Sequence, residues 1–154
     1  MDRFLVKAVL NYLEMDGPIS LSRGYLDELI SAYTRHVPWE SAFRIVKRAN
    51  CTSTESCPRW PEEFWRDAID LGGGGTCFES NYAFFALLKA LGYEGYLTIN
   101  DMNDSVGCHA AIVVILDGRQ WLLDAGLPLY IPLPLNPEEQ SRRNSPFHRY
   151  NVSP

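Results

Sequence analysis

A cysteine at position 77 follows four glycines and opens a segment in which apolar residues recur at helical spacing. Thr76 and Glu79 have the spacing of a capping box, which predicts Thr76 as the N-cap and Cys77 as the first helical residue. There the unpaired backbone N–H groups and the helix dipole stabilise a thiolate, the nucleophilic form of cysteine. The glycines would also let a substrate approach the sulfur closely. A nucleophile is one interpretation; a small buried packing residue is the other.

A predicted hairpin downstream supplies a base and an acid. Apolar, β-branched stretches on either side of Asp117-Gly118 predict two antiparallel strands joined by a two-residue turn. In the register that this turn sets, His109 faces Gly126 and is therefore a diagonal neighbour of Asp124 on one face. A slip of one residue would place the two side chains on opposite faces. The alternative is a core histidine beside an unrelated carboxylate.

Together, the three residues form a possible catalytic triad. Cys77 would attack an electrophilic carbonyl, His109 would take the thiol proton, and Asp124 would hold the imidazole in the required tautomer. The backbone N–H of Cys77 is a candidate donor to the oxyanion of a tetrahedral intermediate. The order Cys, His, Asp thus suggests an activated sulfur nucleophile.

Three segments resemble the arylamine N-acetyltransferase family. Residues 73–81 read Gly-Gly-Gly-Thr-Cys-Phe-Glu-Ser-Asn, similar to the family's Arg-Gly-Gly-x-Cys-aromatic-Glu-x-Asn. Residues 38–41, Pro-Trp-Glu-Ser, are similar to its Pro-Phe-Glu-Asn, and residues 124–128, Asp-Ala-Gly-Leu-Pro, to its Asp-Val-Gly-Phe-Gly. The resemblance covers residues 26–135, and its most specific part surrounds Cys77.

This resemblance implies an α+β fold in which an N-terminal helical bundle carries the nucleophile and an antiparallel β-sheet or partial barrel follows, as in cysteine proteinases. It implies transfer of an acetyl group from acetyl-CoA, through a thioester on Cys77, to an aromatic amine or hydrazine. Acetyl-CoA would then be a co-substrate, and no permanently bound cofactor is expected. The residues that would bind the coenzyme stay unidentified.

The chain also departs from the family pattern. Gly73 replaces the family's arginine and Ser41 its asparagine, so we expect the contacts of those two side chains to be absent. Family members continue well past this length. The same triad order occurs in transglutaminases and papain-like proteases. A cysteine hydrolase and an inactive fragment of such a domain are therefore the alternatives to an acyltransferase.

The remaining pattern predicts helices first and strands second. Helical spacing predicts five helices, the third starting at Pro38 and the last running from Cys77 to Gly92. A strand over 96–100, a polar loop over 101–107 and the hairpin follow, and 137–154 is polar, rich in proline and expected to be poorly ordered. We predict one compact unit with a helical subdomain, 1–92, and a β subdomain, 93–154.

Composition excludes several classes of protein. A net charge of −5 argues against nucleic-acid binding, and the cluster of Arg44, Lys47 and Arg48 is expected to be a solvated helix face. No apolar run approaches the roughly 20 residues of a membrane span, and the N-terminus lacks a signal-peptide pattern, which favours a cytoplasmic location. The pattern leaves the oligomeric state open.

The four cysteines are too few and too irregularly spaced for a secreted disulfide scaffold, so we expect reduced thiols. Cys51 and Cys57 have more intervening residues than zinc-binding pairs usually have, so no metal site is expected. Cys108 is expected to be a packing residue on the strand face opposite His109.

Overall fold

The structure, a computed structural model, describes residues 1–127, 129–136 and 138–154. Helices come first and strands second, so the predicted α+β order is confirmed. Strands β1 to β4 form one antiparallel sheet in the order β1-β2-β3-β4, and β5 pairs with β6. The helices are α1 (Arg3–Tyr12), α2 (Arg23–His36), α3 (Ala42–Asn50), α4 (Pro61–Leu71) and α5 (Cys77–Leu91), with a short 3-10 helix at Thr54–Ser56; the strands are β1 (Glu94–Met102), β2 (Ser105–Leu116), β3 (Arg119–Leu123), β4 (Leu133–Leu135), β5 (Ser141–Asn144) and β6 (Arg149–Val152).

The core lies between the helices and one face of the sheet. Tyr33 on α2 packs edge-to-face against Trp65 at a centroid distance of 5.7 Å and lies 5.0 Å from Phe84 on α5. Ile112 and Leu123 extend this core into β2 and β3. Burying each large apolar side chain stabilises the fold by about 1.5–3 kcal/mol. This packing fixes α5, which carries Cys77, against the strands that carry the other two predicted site residues.

The predicted hairpin register is confirmed over the part of the two strands that pairs, from the turn to Ile112 and Leu123. Leu116 pairs with Arg119 and Ile112 with Leu123. Asp117 and Gly118 both have positive φ, 52° and 70°, as a two-residue hairpin turn of type I′ requires. Residues 109–114 of β2 are buried on both faces of the strand.

The prediction of a polar loop over 101–107 is wrong. β1 continues to Met102 and β2 begins at Ser105, so a tight turn at Asn103-Asp104 joins the two strands. The Asp101 carboxylate accepts a hydrogen bond from the Gly107 N–H at 2.7 Å. A polar stretch can extend a ladder in this way because its side chains stay in solvent while its backbone pairs.

The C-terminal segment is also more regular than predicted. Residues 137–154 were expected to be poorly ordered, yet β5 and β6 form a hairpin there; Pro137 lies outside the described residues. The guanidinium of Arg143 donates two hydrogen bonds to the Asp27 carboxylate on α2, at 2.9 and 3.1 Å. It also donates to the carbonyl oxygen of Pro132 at 2.6 Å. A bidentate ion pair of this kind orders a hairpin that has little apolar surface to bury.

Helix α3 begins at Ala42, not at the predicted Pro38. The segment before it is extended, and Trp39 forms an isolated parallel bridge with Gly75. The Gly75 N–H donates to Pro38 O at 3.3 Å, and the Glu40 N–H donates to Gly75 O at 3.4 Å. The backbone groups of 38–40 therefore pair with the glycine segment instead of entering a helix.

The expectation of four reduced thiols is wrong for one pair. Cys51 and Cys57 form a disulfide across the loop that follows α3, with their Cα atoms 5.6 Å apart. Cys77 and Cys108 are free. Cys108 is exposed, so it is not the packing residue that strand alternation suggested.

Tyr93 links α5 to the start of α2 and predicts a specific pH dependence of stability. Its hydroxyl donates to the carbonyl oxygens of Ser20 and Ser22 at 3.0 and 3.1 Å, and its side chain is buried. Burial, with a smaller contribution from Tyr25, raises the pKa of Tyr93 from 10.0 to about 12. Because the unfolded chain loses this proton first, Tyr93 contributes stability that is fully present below pH 10.0 and is lost as pH rises through about 12.

We therefore expect Tyr93→Phe to lower the free energy of unfolding by about 1 kcal/mol at neutral pH, through the lost hydrogen bonds. The variant should lose less stability than the wild type between pH 10.0 and about 12. Urea unfolding curves at several pH values in this window measure both effects. Equal slopes for the two proteins would contradict the assignment.

Candidate active site

Two of the three predicted site residues meet at the end of the β2–β3 hairpin. His109 on β2 and Asp124, just past β3, are both buried, and Nε2 of the imidazole lies 2.5 Å from Oδ2 of the carboxylate. The paired ladder ends at Ile112 and Leu123, and the same alternation continued past that pair puts His109 and Asp124 diagonally on one face, which accounts for this contact. The hairpin therefore places His109 where the Asp124 carboxylate orients its imidazole.

The other carboxylate oxygen of Asp124 is held by three donors. Oδ1 accepts hydrogen bonds from the N–H groups of Gly126 and Leu127, each at 2.9 Å, and from Nδ2 of Asn81 at 3.0 Å. Oδ1 of Asn81 accepts from the Ala125 N–H at 2.8 Å. These bonds fix the position of the carboxylate independently of His109.

Asn81 is fully buried, and the sequence pattern gave it no role. Its place four residues after Cys77 on α5 was the available signal, because residues at that spacing share one helix face. The asparagine thus connects the helix that carries the cysteine to the acid of the hairpin.

Cys77 is the first residue of α5 with Thr76 as N-cap, as predicted. Its thiol is half-buried and donates a weak hydrogen bond to Cys108 O at 3.8 Å, not to the His109 imidazole. A Cβ atom added to Gly126 would lie 2.4 Å from Cys77 Cα, so the backbone that follows Asp124 presses directly against the nucleophile's residue. The structure therefore gathers all three predicted residues at one place, with the sulfur turned toward the carbonyl next to His109.

The predicted capping box is wrong. Thr76 makes no side-chain cap hydrogen bond. Oε1 of Glu79 instead accepts from Nε of Arg59 at 2.9 Å. A buried guanidinium is a stronger partner for a carboxylate than a neutral N–H at the helix end.

Two of the glycines before Cys77, Gly74 and Gly75, are needed for close packing. A Cβ atom added to Gly74 would lie 1.8 Å from Pro38 O, and one added to Gly75 would lie 2.8 Å from the Phe64 ring. The Gly74 N–H donates to Oε1 of Glu40 at 3.1 Å. Glycine is required where two backbones approach this closely.

Arg59 is the principal residue that the sequence pattern missed. Its side chain is buried and donates to Glu79 Oε1 at 2.9 Å, to Asp67 Oδ2 at 3.0 Å and to Gly74 O at 2.5 Å. Burial lowers its pKa, but the hydrogen bonds and charges of Glu79 and Asp67 outweigh burial and raise the pKa overall. A guanidinium from the loop before α4 therefore holds the segment that leads to Cys77, although Gly73 stands where the family pattern has arginine.

Comparison with known proteins shows the family of this chain. A family model described as N-acetyltransferase matches residues 24–153, most of the chain. The chain belongs to the arylamine N-acetyltransferase family. It is 27% identical, over 96% of its length, to proansamycin X synthase from Amycolatopsis mediterranei, of which it covers 58%.

Solved structures of this family share the fold. The arylamine N-acetyltransferase of Salmonella typhimurium matches with a TM-score of 0.72 at 20% identity, over 92% of this chain and 52% of that one. A Bacillus cereus arylamine N-acetyltransferase with a Cys-His-Glu triad matches with a TM-score of 0.72 at 21% identity, over 98% of this chain and 59% of that one. The chain spans between one half and three fifths of the length of these relatives.

Neither a metal centre nor a membrane-spanning helix is present in the described part of the chain. No group of three or more His, Cys, Asp and Glu side chains within 1–127, 129–136 and 138–154 could hold a metal ion. None of the helices over the same ranges is long and apolar enough to cross a membrane.

Proposed function

We propose that this N-acetyltransferase-family protein transfers an acetyl group from acetyl-CoA, through a thioester on Cys77, to the nitrogen of an aromatic amine or hydrazine. The observation that carries this proposal is the buried pair of His109 and Asp124, at 2.5 Å, together with the close approach of Gly126, two residues after Asp124, to Cys77. Family membership supports the reaction class, and the geometry supports these three residues as its catalytic triad.

The roles of the two ring nitrogens follow from the hydrogen bonds. Because Nε2–H of His109 donates to Asp124, Nδ1 is the nitrogen left to take the thiol proton. In the structure the Cys77 thiol instead donates to Cys108 O at 3.8 Å, so it must leave this contact before it can donate to Nδ1. Catalytic hydrogen bonds are often long or misaligned before substrate binds, so we expect this exchange of partners when substrate binds.

Acetylation of the enzyme would then proceed through a tetrahedral intermediate. The Cys77 thiolate attacks the acetyl carbonyl carbon, the new S–C bond forms, and the N–H of Cys77 stabilises the oxyanion. The bond between that carbon and the coenzyme sulfur breaks as the imidazolium of His109 returns its proton to the departing thiol. In the second half, the acceptor nitrogen attacks the thioester, His109 takes the proton of that nitrogen, and Cys77 leaves.

Intact-mass spectrometry tests the nucleophile and the donor together. The wild-type chain incubated with acetyl-CoA should gain one acetyl group, and Cys77→Ala should gain none because it lacks the attacking sulfur. Cys108→Ala is the matched control, since it removes the other free thiol and should still be acetylated. Addition of an aromatic amine should then remove the acetyl group from the enzyme and yield the acetylated amine.

The outcomes separate the alternatives. Acetylation that persists in Cys77→Ala would contradict the nucleophile assignment. Acylation of Cys77 by p-nitrophenyl acetate but not by acetyl-CoA would support the triad and exclude acetyl-CoA as the donor. Turnover of that ester with water as the acceptor would indicate a cysteine hydrolase. No adduct from either reagent would indicate an inactive domain.

A further inference from the structure

A pocket away from the proposed catalytic residues lies between α3, the segment before α4 and the first two turns of α5. This pocket has a volume of about 650 Å³, within the range of small-molecule sites. Its lining includes Phe78 and Tyr82 on α5, but none of the three proposed catalytic residues. We call it the α3–α5 pocket.

The walls of the α3–α5 pocket are apolar and aromatic. Ile45, Trp60, Phe78 and Tyr82 line it, with 62%, 54%, 45% and 39% of their surfaces exposed. The rings of Trp60 and Tyr82 meet edge-to-face, with centroids 6.0 Å apart. Large apolar side chains that remain exposed together in this way typically mark a binding site.

Two arginines border these walls. Arg44 and Arg48 lie one turn apart on α3 and line the pocket. Neither guanidinium forms an ion pair with a carboxylate of the described residues, although the chain has a net charge of −5. Lys47 on the same helix differs, since its ammonium is 2.6 Å from Glu63. Arg48 makes one weak contact, from Nη1 to Cys57 Sγ at 4.0 Å. The predicted solvated cluster therefore consists of one lysine paired with a carboxylate and two arginines that are not paired with one.

The floor of the pocket is fixed. Arg59 and Glu79, which also line it, are paired at 2.9 Å and mostly buried, and the disulfide of Cys57 closes the adjacent loop. A site held in place before binding loses little conformational freedom when a ligand enters.

We infer that the α3–α5 pocket binds a small aromatic molecule that carries one anionic group. The aromatic ring lies among Trp60, Phe78 and Tyr82, and the anion accepts hydrogen bonds from Arg44 and Arg48. Arginine suits this task because its planar guanidinium donates to a carboxylate or sulfonate through two N–H groups. The inference needs no acyl transfer and is independent of the proposed function.

The experiment compares naphthoate with the neutral naphthylmethanol as probes, by titration calorimetry of the chain without any acyl donor. We expect naphthoate to bind at least about tenfold more tightly, because only naphthoate accepts charge-assisted hydrogen bonds. The double substitution Arg44→Gln and Arg48→Gln should abolish that preference and leave naphthylmethanol binding unchanged. The matched control, Arg35→Gln with Arg66→Gln, removes the same charge from exposed sites on α2 and α4 and should keep the preference.

The location of the probe is read from the indole N–H resonance of Trp60, assigned with Trp60→Phe. Saturable movement of that resonance by naphthoate supports the pocket. Equal affinity of the two probes, loss of the preference in the control variant, movement confined to another tryptophan, or no saturable binding at millimolar concentration would each overturn the inference.

Discussion

Replacing Asp124 with Asn is expected to slow acylation of Cys77 by about 10⁴-fold while leaving the fold intact. The reason lies in the three N–H donors that meet Oδ1 of Asp124, from Asn81, Gly126 and Leu127. An amide at position 124 must direct its oxygen toward these donors, because its NH₂ group would leave all three without an acceptor. The amide NH₂ group therefore faces His109.

That orientation imposes the wrong tautomer on the imidazole. In the Asp124→Asn variant, Nε2 of His109 must accept a hydrogen bond from the new amide NH₂ group, so the ring proton moves to Nδ1. Nδ1 is the nitrogen proposed to take the thiol proton, and once protonated it has no lone pair for this step. The Asp124→Asn variant therefore reacts slowly because proton transfer from the thiol is blocked, while its fold is retained.

The initial release of p-nitrophenol from p-nitrophenyl acetate measures this rate without the coenzyme. Asp117→Asn is the matched control, because it makes the same substitution at the exposed turn of the same hairpin, where asparagine tolerates positive φ. The control should react at the wild-type rate, and both variants should unfold near the wild-type temperature. A reduction of less than about tenfold in Asp124→Asn would mean that Asp124 does not orient the catalytic base.

Local chemistry explains which parts of this site could be predicted from the sequence. Asp117-Gly118 permits essentially one tight turn, and alternation along the strands then determines which side chains share a face. His109 and Asp124 lie 15 residues apart, close enough along the chain for this register to bring them together. The position of Cys77 at the start of α5 could also be predicted locally, from the residues around position 77.

Predictions from local sequence patterns failed where segments distant along the chain make contact. Glu79 fits a local capping box, but Arg59, 20 residues earlier, supplies a charged partner that no local pattern reveals. Arg143 and Asp27 are 116 residues apart, so the polar C-terminal segment gave no sign of the ion pair that orders it. Helix α3 starts late for the same reason, because the backbone groups of 38–40 pair with Gly75. Each error arose where a tertiary partner outweighed a local preference.

Arg59 carries the second large expected effect. Replacing it with Met should lower the free energy of unfolding by about 3–5 kcal/mol, the usual consequence of removing one partner from a buried ion pair. The side chains of Glu79 and Asp67 would lose their shared cation, and Oε2 of Glu79 already has no hydrogen-bond partner among the described residues. The rings of Phe43 and Phe64, 5.4 and 5.3 Å from the guanidinium carbon, would lose their cation as well.

Urea unfolding measures this loss of stability. The matched control is Arg66→Met, on the exposed face of α4, which we expect to change the free energy of unfolding by less than about 0.5 kcal/mol. Adding Glu79→Gln to Arg59→Met should recover part of the loss, since it removes one uncompensated charge. Arg59→Lys should fall between the wild type and Arg59→Met, because an ammonium keeps the charge but not the planar geometry that reaches Glu79, Asp67 and the Gly74 carbonyl together. If Arg59→Met cost no more than Arg66→Met, the buried guanidinium would not be what holds the glycine segment in front of Cys77.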